Sequence, residues 1–133
     1  MRKSEAGIIA AAVVALALPL VQLWEGRSLV AYRDIVGIPT ICDGETRGVK
    51  MGDRATPAEC DAMTEEAVAE FEAAIRPCLP RSLPTETRAA FVVTAYNIGA
   101  DAFCKSSMAR RASAGDLRGA CDALLMWNKA KVK

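Results

Sequence analysis

Three side chains in the first third of the chain have the types and the spacing for acid–base chemistry. Glu25 is followed nine residues later by Asp34, and Thr40 lies six residues beyond Asp34. Glu25 follows an apolar stretch that predicts a helix, whereas residues 34 to 40 have the Gly, Pro and β-branched content of short strands and turns. Two acids on different elements can face each other across a cleft. One carboxyl can then stay protonated while the other stays ionised, as cleavage of a glycosidic bond requires.

The composition of the chain removes most other kinds of catalytic site. The sequence contains no histidine, which excludes imidazole catalysis, histidine metal ligation and the serine or cysteine triads that need a histidine base. Lysine and arginine together number 17 against 16 acidic residues, so no overall field attracts nucleic acid. We therefore expect no metal, no organic cofactor and no nucleic-acid partner. The composition therefore favours catalysis by carboxyl groups.

A basic start followed by an apolar stretch is typical of an export segment. Arg2 and Lys3 precede a run from residue 7 to 24 that only Gln22 interrupts, and its length is near the lower limit of what spans a bilayer. Three interpretations remain: a signal peptide cleaved after Ala17, an uncleaved anchor that later leaves the membrane, and an ordinary buried N-terminal helix. The basic residues so close to the run favour export.

The five cysteines agree with an oxidising compartment. They are too scattered for a CxxC redox or zinc pattern, and disulfides are the better interpretation. Cys42 precedes the helix that carries Cys60, while Cys104 and Cys121 flank a helix hairpin. We therefore expect the pairs Cys42–Cys60 and Cys104–Cys121, with one thiol left over, although connectivity does not follow from sequence alone.

Further patterns predict the elements that position these groups. Four glycines between residues 37 and 52 lie among Ile, Val and Thr, which favours short antiparallel strands with tight turns. Thr56 and Glu59 form a capping box that predicts the start of a helix. The segment from 89 to 98 is apolar on nearly all faces, closes at Gly99, and is typical of a core helix.

Several segments in the same order resemble the phage-type lysozymes, glycoside hydrolase family 24, and within them the signal-anchor-release endolysins. The resemblance runs from Trp24 to about Asn128 and rests on WEG, AYRDIVGIPT, ICDGETRGV, ATPAEC, AYNIGA and SAGD, followed by Trp127-Asn128. It implies an α+β, mostly helical, lysozyme-like two-lobe fold with a small antiparallel sheet and a helical lobe. The implied activity is hydrolysis of the β-1,4 bond between N-acetylmuramic acid and N-acetylglucosamine in peptidoglycan, for host cell lysis.

The resemblance also implies roles for the three residues named first. Glu25 would be the general acid. Asp34 would assist the attacking water and stabilise positive charge at the sugar carbon, and Thr40 would orient that water. This arrangement implies an inverting lysozyme.

Further residues match saccharide-binding positions of the family. Thr46 lies in a region that lines the groove, and Tyr96 and Ser106 match an aromatic and a serine position. Tyr96 would serve equally well as a core aromatic residue, and helix capping alone would account for Ser106. Glu45 departs from the family, because many relatives carry a histidine there.

The expected organisation is a signal-anchor or signal-peptide segment over residues 1–24 and a lysozyme-like catalytic domain over 25–133. The partners would be peptidoglycan and, through the N-terminal segment, the inner membrane. The protein would be a monomer, anchored in that membrane and then released to the periplasm, where it reaches the host cell wall.

Two other functions compete with hydrolysis. Relatives continue past the position of Lys133, so the resemblance implies that the chain lacks the family's C-terminal helices. A non-catalytic peptidoglycan-binding remnant is therefore the alternative. A lytic transglycosylase would use a single acid, and the presence of Asp34 argues against it.

Overall fold

The computed structural model describes the backbone of residues 3–132 and the side chains of residues 7–124. The side chains of Trp127 and Asn128, used in the resemblance, lie outside the described residues. The elements follow in the order α1 (Lys3–Glu25), β1 (Ser28–Arg33), β2 (Pro39–Cys42), α2 (Pro57–Ile75), a 3-10 turn (Arg76–Cys78), α3 (Thr85–Ile98), α4 (Ala100–Cys104), α5 (Ser107–Ser113) and α6 (Leu117–Val132). The expected α+β, mostly helical architecture is confirmed.

Helix α1 is apolar on two faces, and only one of them is covered. Val13, Ala17 and Val21 recur every four residues and are buried against the rest of the helical core, because residues four apart share one helix face. The helix contacts α2 and α3. The sequence predicts that Glu25 ends or lies within this helix, and α1 ends at Glu25 because Gly26 has a φ of +69° and leaves the right-handed helical region.

The sheet consists of two antiparallel strands that continue directly from the end of α1. Tyr32 pairs with Thr40 and Arg33 with Pro39, so the hairpin turn between them starts at Asp34. This small antiparallel sheet confirms the prediction from the glycine spacing. It also places the predicted acid, Asp34, at the first position of the turn.

Helix α2 joins the sheet to the helical core and starts with the predicted capping box. The Thr56 hydroxyl accepts a hydrogen bond from the Glu59 amide at 3.1 Å, and the Glu59 carboxylate accepts one from the Thr56 amide at 2.9 Å. Helix α3 lies in the core as expected. The Phe91 ring packs against that of Phe103, with the ring centroids 5.3 Å apart.

The predicted division between residues 1–24 and 25–133 stays a prediction. In the described structure α1 shares one hydrophobic core with the helices of the second segment. One face of α1 is thus buried in that core, while Ile8, Leu16, Leu20 and Leu23 remain exposed.

One of the two expected disulfides is confirmed and the other is wrong. Cys42 is bonded to Cys60, with the Cα atoms 5.1 Å apart, but Cys104 is bonded to Cys78 at 5.6 Å and Cys121 is a free, exposed thiol. Ala120 and Ala123 face the core, so helical geometry turns Cys121 toward solvent. Cys104 ends α4 beside the 3-10 turn that carries Cys78.

We predict that peptide mapping without reductant recovers the Cys42–Cys60 and Cys78–Cys104 peptides and a free Cys121. Replacing Cys60 with Ala should lower the free energy of unfolding by about 2–4 kcal/mol, because the bond no longer restricts the unfolded chain. Cys121→Ser is the matched control and should leave stability unchanged. Recovery of a Cys104–Cys121 peptide would contradict this assignment.

Candidate active site

The carboxyl group of Glu25 lies against the backbone of Gly44 and near the Tyr96 hydroxyl. A carbon atom added at the Cβ position of Gly44 would lie 3.4 Å from Glu25 Oε2 and 4.0 Å from the Tyr96 hydroxyl oxygen. Glu25 is half-buried. The end of α1, the turn after β2 and the end of α3 therefore meet around this carboxyl.

The turn Cys42-Asp43-Gly44, which we call the cleft turn, has an unusual backbone. Gly44 has a φ of +97° and Cys42 a φ of +59°, in the left-handed region that favours glycine and is uncommon for cysteine. The disulfide to Cys60 ties Cys42 to α2. The surrounding structure thus holds a turn that the local sequence alone does not favour.

Asp43, at the centre of the cleft turn, is fully buried and charged. Its Oδ1 accepts a hydrogen bond from Arg27 Nε at 2.9 Å, and its Oδ2 accepts one from Arg27 Nη2 at 2.8 Å and one from the Thr64 hydroxyl at 2.5 Å. A carboxylate without solvent exposure requires such partners, because an unpaired buried charge is strongly destabilising. Sequence reasoning missed Arg27, Asp43 and Thr64, since no local pattern marks a buried ion pair.

Arg27 also reaches helix α2. Its Nη2 donates to Asp61 Oδ1 at 2.7 Å, and Gln22 of α1 donates to the same oxygen at 3.1 Å. The hydrogen bonds with Asp43 and then with Asp61 raise the pKa of Arg27 further above its ordinary value. The guanidinium therefore stays charged and joins the end of α1 to both the cleft turn and α2.

Tyr96 is held by a hydrogen bond from its hydroxyl group and by packing of its ring. Its hydroxyl donates to the Asp43 carbonyl oxygen at 2.8 Å, and its ring centroid lies 5.4 Å from that of Phe71. Burial raises the pKa of Tyr96, and the nearby carboxylates of Glu25, Glu45 and Asp43 raise it further. The phenol therefore stays protonated at neutral pH and acts as a donor.

Asp34 and Thr40 are brought together by a single residue, Ile38. Asp34 Oδ1 accepts hydrogen bonds from the amides of Val36 and Ile38, both at 2.9 Å, while the Thr40 hydroxyl donates to the Ile38 carbonyl oxygen at 2.9 Å. Asp34 is half-buried and Thr40 is 4% exposed. The turn therefore fixes the orientation of both side chains.

Two of the predicted substrate-binding residues, Thr46 and Tyr96, line one cavity with Gly44. Its volume is about 390 Å³, which is in the size range of small-ligand sites. Phe71 contributes an apolar wall, and Glu45 lies on the same wall as Thr46.

Glu45 is paired rather than isolated at this wall. Arg47 Nε donates to Glu45 Oε1 at 2.9 Å, and Arg47 also pairs with Glu70. Burial alone would raise the pKa of Glu45, but the hydrogen bonds from the Arg47 side chain and backbone outweigh it and hold that pKa below its ordinary value. Glu45 is therefore an ionised acid.

Ser106 is the N-cap residue of α5. Its hydroxyl accepts a hydrogen bond from the Ala109 amide at 3.3 Å and donates to the Phe103 carbonyl oxygen at 2.6 Å. Ser106 does not line the cavity that contains Thr46 and Tyr96. Its role in substrate binding stays a prediction, as does the absence of a cofactor; among the described residues, no group of His, Cys, Asp or Glu is placed to hold a metal ion.

Known proteins are similar to this chain in fold and in sequence. The phage lysozyme family model matches residues 22–133. The SAR-endolysin of Pseudomonas phage phiKMV is 40% identical over 122 residues, which cover 91% of this chain and 75% of that protein. The solved endolysin from Escherichia coli O157:H7 phage FAHEc1 superposes with a TM-score of 0.78 at 32% identity, covering 85% of this chain and 74% of that one.

A third match comes from a bacterial protein. The muramidase domain of SpmX from Asticaccaulis excentricus superposes with a TM-score of 0.78 at 26% identity, over 84% of this chain and 76% of that one. The helical core and small sheet thus define a lysozyme-like glycoside hydrolase. The chain belongs to the phage lysozyme family and is an endolysin with muramidase activity.

We predict that Gly44→Ala lowers both stability and activity. The positive φ should cost about 1–2 kcal/mol of folding free energy for a residue with a Cβ, and the new methyl group would lie in van der Waals contact with the Glu25 carboxyl, 3.4 Å from its Oε2. If Glu25 takes part in the reaction, a strained turn and an occupied space beside its carboxyl should reduce wall hydrolysis about 10-fold or more. Activity per folded molecule, with chemical denaturation alongside, measures both effects.

Gly48→Ala is the matched control for this prediction. Gly48 also has a positive φ, of +69°, but nothing lies within 4 Å of an added Cβ. Gly48→Ala should therefore lose stability and keep its activity. Equal activity losses in the two variants would show that contact with Glu25 is not the cause.

Proposed function

We propose that Glu25 is the general acid of this endolysin and that it protonates the glycosidic oxygen between N-acetylmuramic acid and N-acetylglucosamine. The observation that carries the proposal is the half-buried Glu25 carboxyl beside Gly44 and Tyr96, next to an open cavity. A general acid in this role supplies a proton to the leaving oxygen.

Asp34 is the second acid of the proposed mechanism. It stays ionised, assists the attacking water and stabilises the positive charge that develops at the sugar carbon, while Thr40 orients that water. Two amide hydrogen bonds to Asp34 Oδ1 hold its carboxyl group in one orientation. Attack by water from the face opposite the leaving group inverts the anomeric centre.

The saccharide is proposed to lie along the cavity at the cleft turn. Thr46 and Tyr96 contribute a hydroxyl and an aromatic edge to its wall, which are groups that suit a sugar with apolar faces and many hydroxyls. Ser106 is a further proposed contact, at the start of α5.

We predict that Glu25→Gln abolishes hydrolysis of purified peptidoglycan while the protein stays folded. The amide keeps the shape of the side chain but has no proton to donate, a loss of about 100-fold or more. Asp34→Asn should also be severely impaired. Release of reducing sugars, with the masses and anomeric form of the first products, measures the reaction.

Glu66→Gln is the control for this series, because Glu66 is an exposed acid of α2 and should tolerate the same change without loss. Wall clearing by Glu25→Gln at the wild-type rate would mean that another residue is the acid. A wild-type protein that binds peptidoglycan and releases no product would instead support the non-catalytic alternative, and anhydro sugars would identify a transglycosylase.

The N-terminal helix is proposed to anchor the protein in the inner membrane before it acts in the periplasm. The stretch Gly7–Glu25 has 19 residues and is long and apolar enough to cross a membrane. In the packed structure Leu23 remains 77% exposed and Trp24 59% exposed. Exposure of apolar side chains to water is unfavourable. Transfer of both side chains from water to lipid would be favourable.

Release follows from the weakness of the anchor. The segment is rich in alanine and includes Gly7, Pro19 and Gln22, which makes its insertion into lipid only slightly favourable. Loss of the membrane potential that retains the positively flanked anchor lets the segment leave. Once α1 packs on the core, Glu25 reaches the cleft turn, so the membrane form is inactive.

We predict that replacing Ala11, Ala12 and Ala15 with Leu traps the protein in the membrane and delays lysis. Each change should favour insertion by about 0.5 kcal/mol. All three alanines are exposed in the packed structure, so the substitutions do not disturb the core. Fractionation of cells into membrane and periplasm measures the result, and Ala62→Leu on the exposed face of α2 is the control.

The mass of the periplasmic protein decides between release and cleavage. An intact N-terminus supports release of the whole anchor. A chain that begins at Leu18 would mean cleavage after Ala17 and would overturn the release model.

A further inference from the structure

The ion pair of Arg27 and Asp43 has no part in the reaction proposed above, yet its geometry leads to Glu25. Asp43 has no solvent exposure, and its carboxylate accepts three side-chain hydrogen bonds, two from Arg27 and one from Thr64. Buried ion pairs contribute little net stability compared with well-packed apolar residues. Net stability alone therefore does not account for the pair.

Each partner of the ion pair lies one or two residues in sequence from one of the two residues that meet at the site, Glu25 and Gly44. Arg27 follows Glu25 with only Gly26 between them, and Asp43 directly precedes Gly44. The Cβ position of Gly44 is 3.4 Å from Glu25 Oε2. The ion pair thus joins the two segments one or two residues from the place where the Glu25 carboxyl touches the cleft turn.

The two glycines beside the pair explain why such a connection is needed. Gly26 has a φ of +69° and Gly44 a φ of +97°, and glycine has more backbone freedom to lose than any other residue. Neither glycine has a side chain that could anchor its segment. The Arg27 guanidinium, bound through two of its nitrogens to one carboxylate, supplies a rigid connection.

Asp43 also positions the second group near Glu25. Its carbonyl oxygen accepts the hydrogen bond from the Tyr96 hydroxyl at 2.8 Å. One residue therefore connects the end of α1 through its side chain and the end of α3 through its backbone. A shift of Asp43 would move the Gly44 backbone and the Tyr96 hydroxyl together, relative to the Glu25 carboxyl.

We propose that Arg27 and Asp43 are positioning residues for Glu25: their ion pair holds the acid against Gly44 and Tyr96 in the geometry for proton donation. Neither side chain is assigned a contact with substrate. The inference rests on the proposed role of Glu25. It predicts that weakening the pair lowers kcat more than it raises KM, because Thr46, Phe71 and most other residues that line the cavity make no hydrogen bond to Arg27 or Asp43.

The test measures kcat and KM separately on soluble, uncross-linked peptidoglycan chains for Asp43→Asn, Arg27→Gln and Arg27→Lys. Asp43→Asn and Arg27→Gln should lower kcat by about 10- to 100-fold, as small misplacements of catalytic groups do, with a smaller change in KM. Arg27→Lys keeps the charge but loses the planar fork, so its kcat should lie between those of the wild type and Arg27→Gln. Rates are expressed per folded molecule, with folding followed by circular dichroism.

Glu72→Gln is the matched control for a merely structural effect. Glu72 is 5% exposed and pairs with Arg76, and it lines a different cavity, beside α1. It should lose stability like the other variants but keep the wild-type kcat.

Three results would overturn the proposal. The first is a wild-type kcat in folded Asp43→Asn or Arg27→Gln, and the second is an equal loss of kcat in Glu72→Gln. The third is failure of both Asp43→Asn and Arg27→Gln to fold, since the pair would then determine folding rather than position. Glu25→Gln, assayed in the same series, separates the two claims: if it is active, the proposed acid is wrong, whereas if it is inactive and Asp43→Asn is fully active, only the positioning role fails.

Discussion

A single carboxylate without solvent exposure, that of Asp43, constrains how the rest of the site assembles. Removing an ion from water costs several kcal/mol, and breaking a buried ion pair costs about 3–5 kcal/mol. The fold therefore has to bring Arg27 and Thr64 to Asp43. Because Arg27 follows α1 and Thr64 lies on α2, satisfying one buried charge fixes the end of α1, the cleft turn and α2 relative to one another. Glu25 gains its position from the same arrangement.

Other features hold the cleft turn in a conformation that it would not adopt by itself. The left-handed backbone of Cys42 is unfavourable by about 1–2 kcal/mol, and the Cys42–Cys60 bond ties that residue to a helix whose start is fixed by its capping box. The Tyr96 ring packs on Phe71 while its hydroxyl binds the Asp43 carbonyl oxygen. The strain in the turn lies next to the Glu25 carboxyl, as is common at functional sites.

Helix α1 has a composition that suits two environments. Val13, Ala17 and Val21 supply a narrow buried face with small side chains, which lets the helix pack closely on α3. Ile8, Leu16, Leu20, Leu23 and Trp24 are exposed to water, an arrangement that a helix optimised only for a soluble core would avoid. Gln22 hydrogen bonds to Asp61 in the packed state and disfavours the lipid state. In the proposed anchoring and release, these residues would keep the free energies of the two locations close to each other.

The sequence by itself determined the features that depend on near neighbours in the chain. Local patterns and ordered motifs predicted the capping box at Thr56, the helix that leads into Glu25, the short antiparallel strands and the lysozyme-like fold class. Only the tertiary structure decided the partner of Cys104, the burial of Asp43 and its pairing with Arg27. These features depend on which helix faces meet across the core. Many weak packing contacts between distant segments together determine which faces meet, and no local sequence pattern records those contacts.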